Sequence, residues 1–116
     1  MMQRKGDQAE EVVKTYLISQ GLHWEMSHYR SRFGEIDLVM RDKTHLVFVE
    51  VRFRQSGSFG GAIESVTPQK QKKLWLTASC YLSERRAHLN EAVRFDVVSL
   101  QGDLNEIEWI QDAFRL

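Results

Sequence analysis

Gly34-Glu35-Ile36-Asp37-Leu38-Val39 leads through a short turn into Leu46-Val47-Phe48-Val49-Glu50-Val51-Arg52, and in each run a carboxylate stands among apolar residues. A buried, ionised carboxylate costs several kcal/mol unless something pairs with it, so Asp37 and Glu50 in apolar strands call for a cation between them. Hard divalent cations take oxygen ligands, and Mg²⁺ in particular is held by one or two carboxylates together with waters and a substrate phosphate. Asp37 and Glu50 are therefore candidate ligands for Mg²⁺ or Mn²⁺. A structural reading stands beside this one, since a Glu50–Arg52 or Asp37–Arg ion pair at a strand end perturbs the same carboxyls without catalysis.

The elements that would position these acids follow from periodicity. Side chains on a strand alternate faces, so Glu50 and Arg52 share one face and Val47, Val49 and Val51 the other. Leu46 and Phe48 make the Glu50 face apolar too, as expected of a central strand covered on both sides. Asp37 lies on the preceding strand, where Ile36, Leu38 and Met40 form the alternate set. The Arg41-Asp42-Lys43-Thr44 turn suits a hairpin that brings the two acids onto adjacent strands.

Residues from about Asp7 to Gln20 carry Ala9, Val13, Tyr16, Leu17 and Gln20 at helical spacing, with Gly21 as a C-terminal stop. Glu10 borders this stripe and can reach the sheet as a third carboxylate, or remain a solvated helix acid, while Glu11 points further toward solvent. The Glu50 strand is followed by the glycine-rich Gln55-Ser56-Gly57-Ser58-Phe59-Gly60-Gly61, a loop placed to close over substrate. Phe59 can stack on a base there or anchor the loop.

Thr67-Pro68 opens a second amphipathic helix through Leu74, Ala78, Tyr81 and Leu82. Lys70, Lys72 and Lys73 in its first turns oppose the helix dipole, which is reasonable where a phosphate docks and otherwise serves solubility. Val93–Leu100 then reads as a strand with Asp96 as a supporting group, and Asn105–Ile110 as a short final strand after a Gln101-Gly102-Asp103 turn. In the tail, Phe114 and Leu116 are available to fold back on the core. The order is helix, three strands, helix, strand, strand: an α/β sandwich with a mixed sheet.

A length of 116 residues fits one domain, 1–116, with its own core. The one cysteine, Cys80, builds neither a disulfide framework nor a zinc site, and with no signal peptide or long apolar run a cytoplasmic protein without a membrane partner is expected. His23, His28, His45 and His88 lack metal-ligand spacing and read as surface or packing residues. Net charge is zero, yet residues 1–86 hold 14 Lys and Arg against 10 Asp and Glu, and residues 87–116 hold 2 against 6. Arg52, Arg54, Lys70, Lys72 and Lys73 face only Glu64, so a basic surface for nucleic acid lies beside the acids, or else a solvated helix face.

Glu10, Gly34-Glu35-Ile36-Asp37, Glu50-Val51-Arg52 and the basic helix, in that order, resemble the PD-(D/E)XK nuclease superfamily with its restriction-endonuclease-like fold, which includes archaeal Holliday junction resolvases. More narrowly the chain is similar to the bacterial YraN family from Gly6 to Phe114. The similarity rests on Phe48-Val49-Glu50-Val51-Arg52, Val66-Thr67-Pro68-Gln69-Lys70-Gln71-Lys72-Lys73-Leu74, Arg94-Phe95-Asp96-Val97-Val98 and Trp109-Ile110-Gln111-Asp112-Ala113-Phe114. The resemblance implies an α-β-β-β-α-β sandwich in which Asp37 and Glu50 bind metal, Glu10 adds an acid from the first helix, and the Val51 carbonyl completes the shell. It also implies a two-fold dimer.

The superfamily pattern has Lys where this chain has Arg52. Guanidinium stays charged at any working pH, so Arg52 orients water or stabilises phosphorane-like charge and does not act as base. Hydrolysis then needs metal-activated water, with Arg52 or Lys70 clamping the phosphate. The expected activity is metal-dependent endonucleolytic cleavage of DNA, branched or recombination intermediates above all. The alternative is a non-catalytic, DNA-structure-binding repair factor on the same scaffold; a regulatory protein–protein adaptor is a third class.

Overall fold

The computed structural model describes residues 5–54, 64–85, 91–102 and 106–115. The glycine-rich stretch with Phe59, His88, the start of the last expected strand at Asn105 and the terminal Leu116 lie outside them. The elements are α1 (Lys5–Ser19), β1 (His23–Ser31), β2 (Gly34–Arg41), β3 (His45–Arg54), α2 (Pro68–Glu84), β4 (Ala92–Gln101) and β5 (Glu106–Ile110). This is the α/β order expected from the sequence.

The strands form one sheet in chain order, antiparallel except for the β3–β4 pair. Parallel neighbours need a crossover, and α2 supplies it. The crossover helix packs on one face and α1 on the other. Tyr29, Ile36, Phe48, Leu74, Ala78, Tyr81 and Phe95 fill the α2 side, while Ala9, Val13, Leu17, Leu38, Met40, Val47, Val49 and Val98 fill the α1 side. The β3 alternation holds as expected: Val47 and Val49 go to α1, Leu46 and Phe48 to α2. Among the described residues no helix is long and apolar enough to cross a membrane.

Local chemistry sets the ends of these elements. Gly21 takes φ +100°, conformational space that suits glycine, and Leu22 N–H returns to the Leu17 carbonyl at 3.0 Å to close α1. Between β2 and β3 the Asp42 carboxylate accepts from Thr44 N at 2.8 Å and His45 N at 2.6 Å, which fixes the hairpin. Thr67 caps α2 by accepting from Lys70 N, with Pro68 in the first turn.

Two features depart from the sequence reading. Ile36 does not share a face with Leu38 and Met40; it packs with Tyr29 and Phe48 on the α2 side. The β1–β2 register is irregular between Trp24 and Met26 and continuous from Ser27↔Leu38 to Tyr29↔Ile36, with His28 between them at φ +55°.

Asp96, expected to support the acids, instead serves the C-terminal segment. Fully buried, it accepts from Arg94 Nε at 3.0 Å, Trp109 Nε1 at 2.9 Å and Asp112 N at 2.9 Å. Arg94 also reaches Asp42 at 2.7 Å. This anchor seats Phe114 against Phe95, ring centroids 5.0 Å apart, as expected for the tail.

Candidate metal and phosphate site

The β2–β3 register runs from Arg41↔Leu46 to Leu38↔Val49. One residue further along β2, the Asp37 side chain accepts the Val51 N–H at 2.8 Å. A strand amide that would otherwise seek a backbone partner thus fixes one oxygen of Asp37. Glu50, the residue before Val51, is 6 % exposed and is in hydrogen-bonding and charge contact with Asp37.

Burial, followed by the hydrogen bond to Glu50 and the charge of Glu50, pushes the Asp37 carboxyl up to about 9 against the opposing pull of the Val51 N–H. Glu10 adds a smaller push in the same direction, so three acids feel one another. The Asp37 carboxyl therefore keeps its proton well above the ordinary carboxylate range unless a cation takes the proton's place.

A cation approaches from α2. Lys70 Nζ stands 2.8 Å from Glu50 Oε2, on a side chain 39 % exposed. The ammonium is the one partner of this buried oxygen among the described residues. A buried carboxylate oxygen held by an exchangeable ammonium, with a second carboxyl beside it, fits a hard divalent ion, Mg²⁺ or Mn²⁺.

Arg52 shares the Glu50 face as expected, but its hydrogen bonds lead to Ser65. Nε donates to Ser65 Oγ at 3.0 Å and Nη2 to the Ser65 carbonyl at 3.3 Å. The guanidinium thus braces the turn that precedes α2. Gln71 Nε2 adds a bond to the Val66 carbonyl at 3.0 Å, and the Thr67 cap completes the set.

Glu10 sits on α1 at the other flank, its carboxyl raised chiefly by burial and lowered in part by His28. His28 Nε2 lies 2.6 Å from Glu10 Oε2, and Nδ1 lies 2.7 Å from Glu35 Oε1. Asp7, Glu10 and His28 hold donor atoms within 4.8 Å of one another. Glu10 is therefore held by an imidazole while remaining in electrostatic contact with Asp37.

His28 and Glu35 were not among the residues expected at the site. Their role depends on a left-handed residue in mid-strand, which histidine spacing does not reveal. Of the other expected residues, Lys72 and Lys73 are exposed on α2, away from the carboxylates that Lys70 meets. Arg54 ends β3, half-buried.

The sequence profile of "Uncharacterised protein family UPF0102" matches residues 9–100. A UPF0102 protein of Nitrosococcus oceani is 45 % identical over 114 residues, covering 97 % of this chain and 92 % of that protein. One from Methylobacillus flagellatus is 48 % identical over 114 residues, 97 % of this chain and 98 % of its own. UPF0102 protein YraN of Salmonella newport is 47 % identical over 111 residues, 95 % of this chain and 83 % of its own.

Proposed function

Because this chain belongs to the UPF0102 family, which includes YraN proteins, we propose that it is a metal-dependent phosphodiesterase that cleaves DNA, branched or recombination intermediates in particular. The observation that carries the reading is the convergence of Asp37 with the buried Glu50, whose Oε2 is met by the Lys70 ammonium. The α-β-β-β-α-β order and the resemblance to PD-(D/E)XK nucleases support it; fold alone would not, since one scaffold hosts many functions.

Asp37 and Glu50, joined by Glu10 across the flank, are the residues that would hold Mg²⁺ or Mn²⁺. A divalent ion there would supply Lewis-acid activation of water and neutralise charge on the phosphate. The chain's own part is positional. The Val51 amide orients Asp37, His28 restrains Glu10, and Lys70 offers a cation to a phosphate oxygen beside Glu50. Arg52 supplies no proton acceptor, so no side-chain base is assigned at that position.

The test is cleavage of labelled four-way junction, flap, single-stranded and duplex DNA in Mn²⁺, run beside Asp37→Ala and Glu50→Ala. Cleavage lost in both variants supports the nuclease and identifies its substrate shape. A second reading, a DNA-structure-binding protein without catalysis, draws on Arg52 being engaged at Ser65 instead of at the acids. Junction binding without cleavage would favour it.

A further inference from the structure

We infer that Lys70, and not Arg52, is the cation that contacts the phosphate under attack, and that Arg52 is a positioning residue that holds the start of α2 so that Lys70 reaches Glu50. The inference rests on the phosphodiesterase reading and names which of the two cations belongs to the reacting centre.

Three observations carry it. Lys70 Nζ stands 2.8 Å from a carboxylate oxygen that is buried and otherwise unsatisfied, so the ammonium lies at the acids already. The Arg52 guanidinium spends two donors on Ser65, one on the hydroxyl and one on the carbonyl. Bonded through its Nε–Nη2 edge, the guanidinium is positioned by the turn before α2 and not by the acids.

The third observation links the two residues. Ser65 stands two residues before the Thr67 cap, and Thr67 Oγ1 accepts from the backbone N–H of Lys70 itself. Arg52 therefore fixes the turn that fixes the helix end that carries Lys70. The lysine stem is flexible and its head compact, so it can leave Glu50 for a phosphate oxygen by rotating its own bonds while the backbone stays put. At 39 % exposed, that head opens to solvent, where a phosphate would arrive.

The experiment compares wild type, Lys70→Gln, Arg52→Gln and Arg52→Lys. Single-turnover cleavage is measured in Mn²⁺, junction DNA affinity in Ca²⁺, Mn²⁺ affinity by calorimetry, and folding by thermal melting. Lys70→Gln keeps its stem and is expected to melt near wild type, to lose roughly 10²- to 10³-fold in cleavage, and to lose about tenfold in DNA affinity. It is also expected to bind Mn²⁺ several-fold more tightly, because no ammonium competes for Glu50.

Arg52→Gln is expected to lower the melting temperature and to cut cleavage less than tenfold, with Arg52→Lys recovering most of both. Wild-type cleavage by Lys70→Gln, with cleavage abolished in a folded Arg52→Gln, overturns the inference and leaves the nuclease reading intact. If no protein cleaves DNA yet affinity depends on Lys70, the nuclease reading falls and phosphate contact by Lys70 stands. If neither cleavage nor binding occurs, both fall.

Discussion

The Asp37 carboxylate accepts the Val51 N–H at 2.8 Å, just past the Leu38↔Val49 pair, so an acid of one strand takes up an amide of the next. The same carboxyl is pushed up to about 9 by burial and by Glu50. Its ordinary value is 3.8, so the native state holds this proton more tightly than the unfolded chain. Its contribution to stability is therefore greatest below the unfolded value and declines as pH rises toward 9. Urea unfolding without metal should show Asp37→Asn more stable than wild type at pH 8, on the order of 2 kcal/mol, with the advantage gone near pH 4.

If a divalent ion binds at this pair, it displaces the proton that Asp37 holds. Mn²⁺ affinity should climb with pH from 6 toward 9, with a slope approaching one proton per ion, while calorimetry in buffers of different ionisation enthalpy counts that proton directly. A pH-independent affinity would remove Asp37 from the ligand set.

The tether between His28 and Glu10 predicts coupling rather than two separate losses. His28→Gly relieves a left-handed backbone, about 1 kcal/mol, yet frees Glu10. Mn²⁺ titration of His28→Gly, Glu10→Ala and the double variant should show a few-fold loss in each, with the double no worse than Glu10→Ala. Strict additivity would mean that His28 does not act through Glu10.

Asp96 should matter to the fold and not to the acids. Asp96→Ala leaves the half-buried Arg94 with Asp42 and strips Trp109 Nε1 and Asp112 N of their acceptor, at a cost of about 1–3 kcal/mol in urea unfolding. Trp109 fluorescence should shift, since its indole N–H loses its acceptor.

Lys72 and Lys73 test the basic face apart from the site. If they meet DNA backbone, each Lys→Ala change lowers the salt slope of DNA binding by about one unit, without altering Mn²⁺ affinity.

Asp37 and Glu50 were legible because a carboxylate in an apolar strand breaks the pattern around it and thereby announces a cost. The start of α2 was legible for a similar reason, since Thr67-Pro68 is a local signal that needs no tertiary help. Period-two alternation placed Arg52 on the correct face but says nothing about where a long side chain ends, and Ser65 claimed it. Ile36 and His28 escape a period-two reading because face changes and a left-handed residue within strands leave no mark in the local pattern. The role of Asp96 depends on its donors Trp109 and Asp112, whose distance from it in space no local pattern encodes.

The open edge formed by β5 has a bearing on self-association. Glu106 and Glu108 are the first and third of its five residues, with Glu106 exposed and Trp109 committed inward to Asp96. A second copy extending the sheet by two-fold pairing along this edge would set acids of one strand beside those of the other, and like charges across a ladder repel. The strand is short as well, so it offers few amides to a newcomer. A symmetric pair of these molecules would thus be directed away from sheet extension at β5, leaving the longer β1 as the other edge of the described sheet.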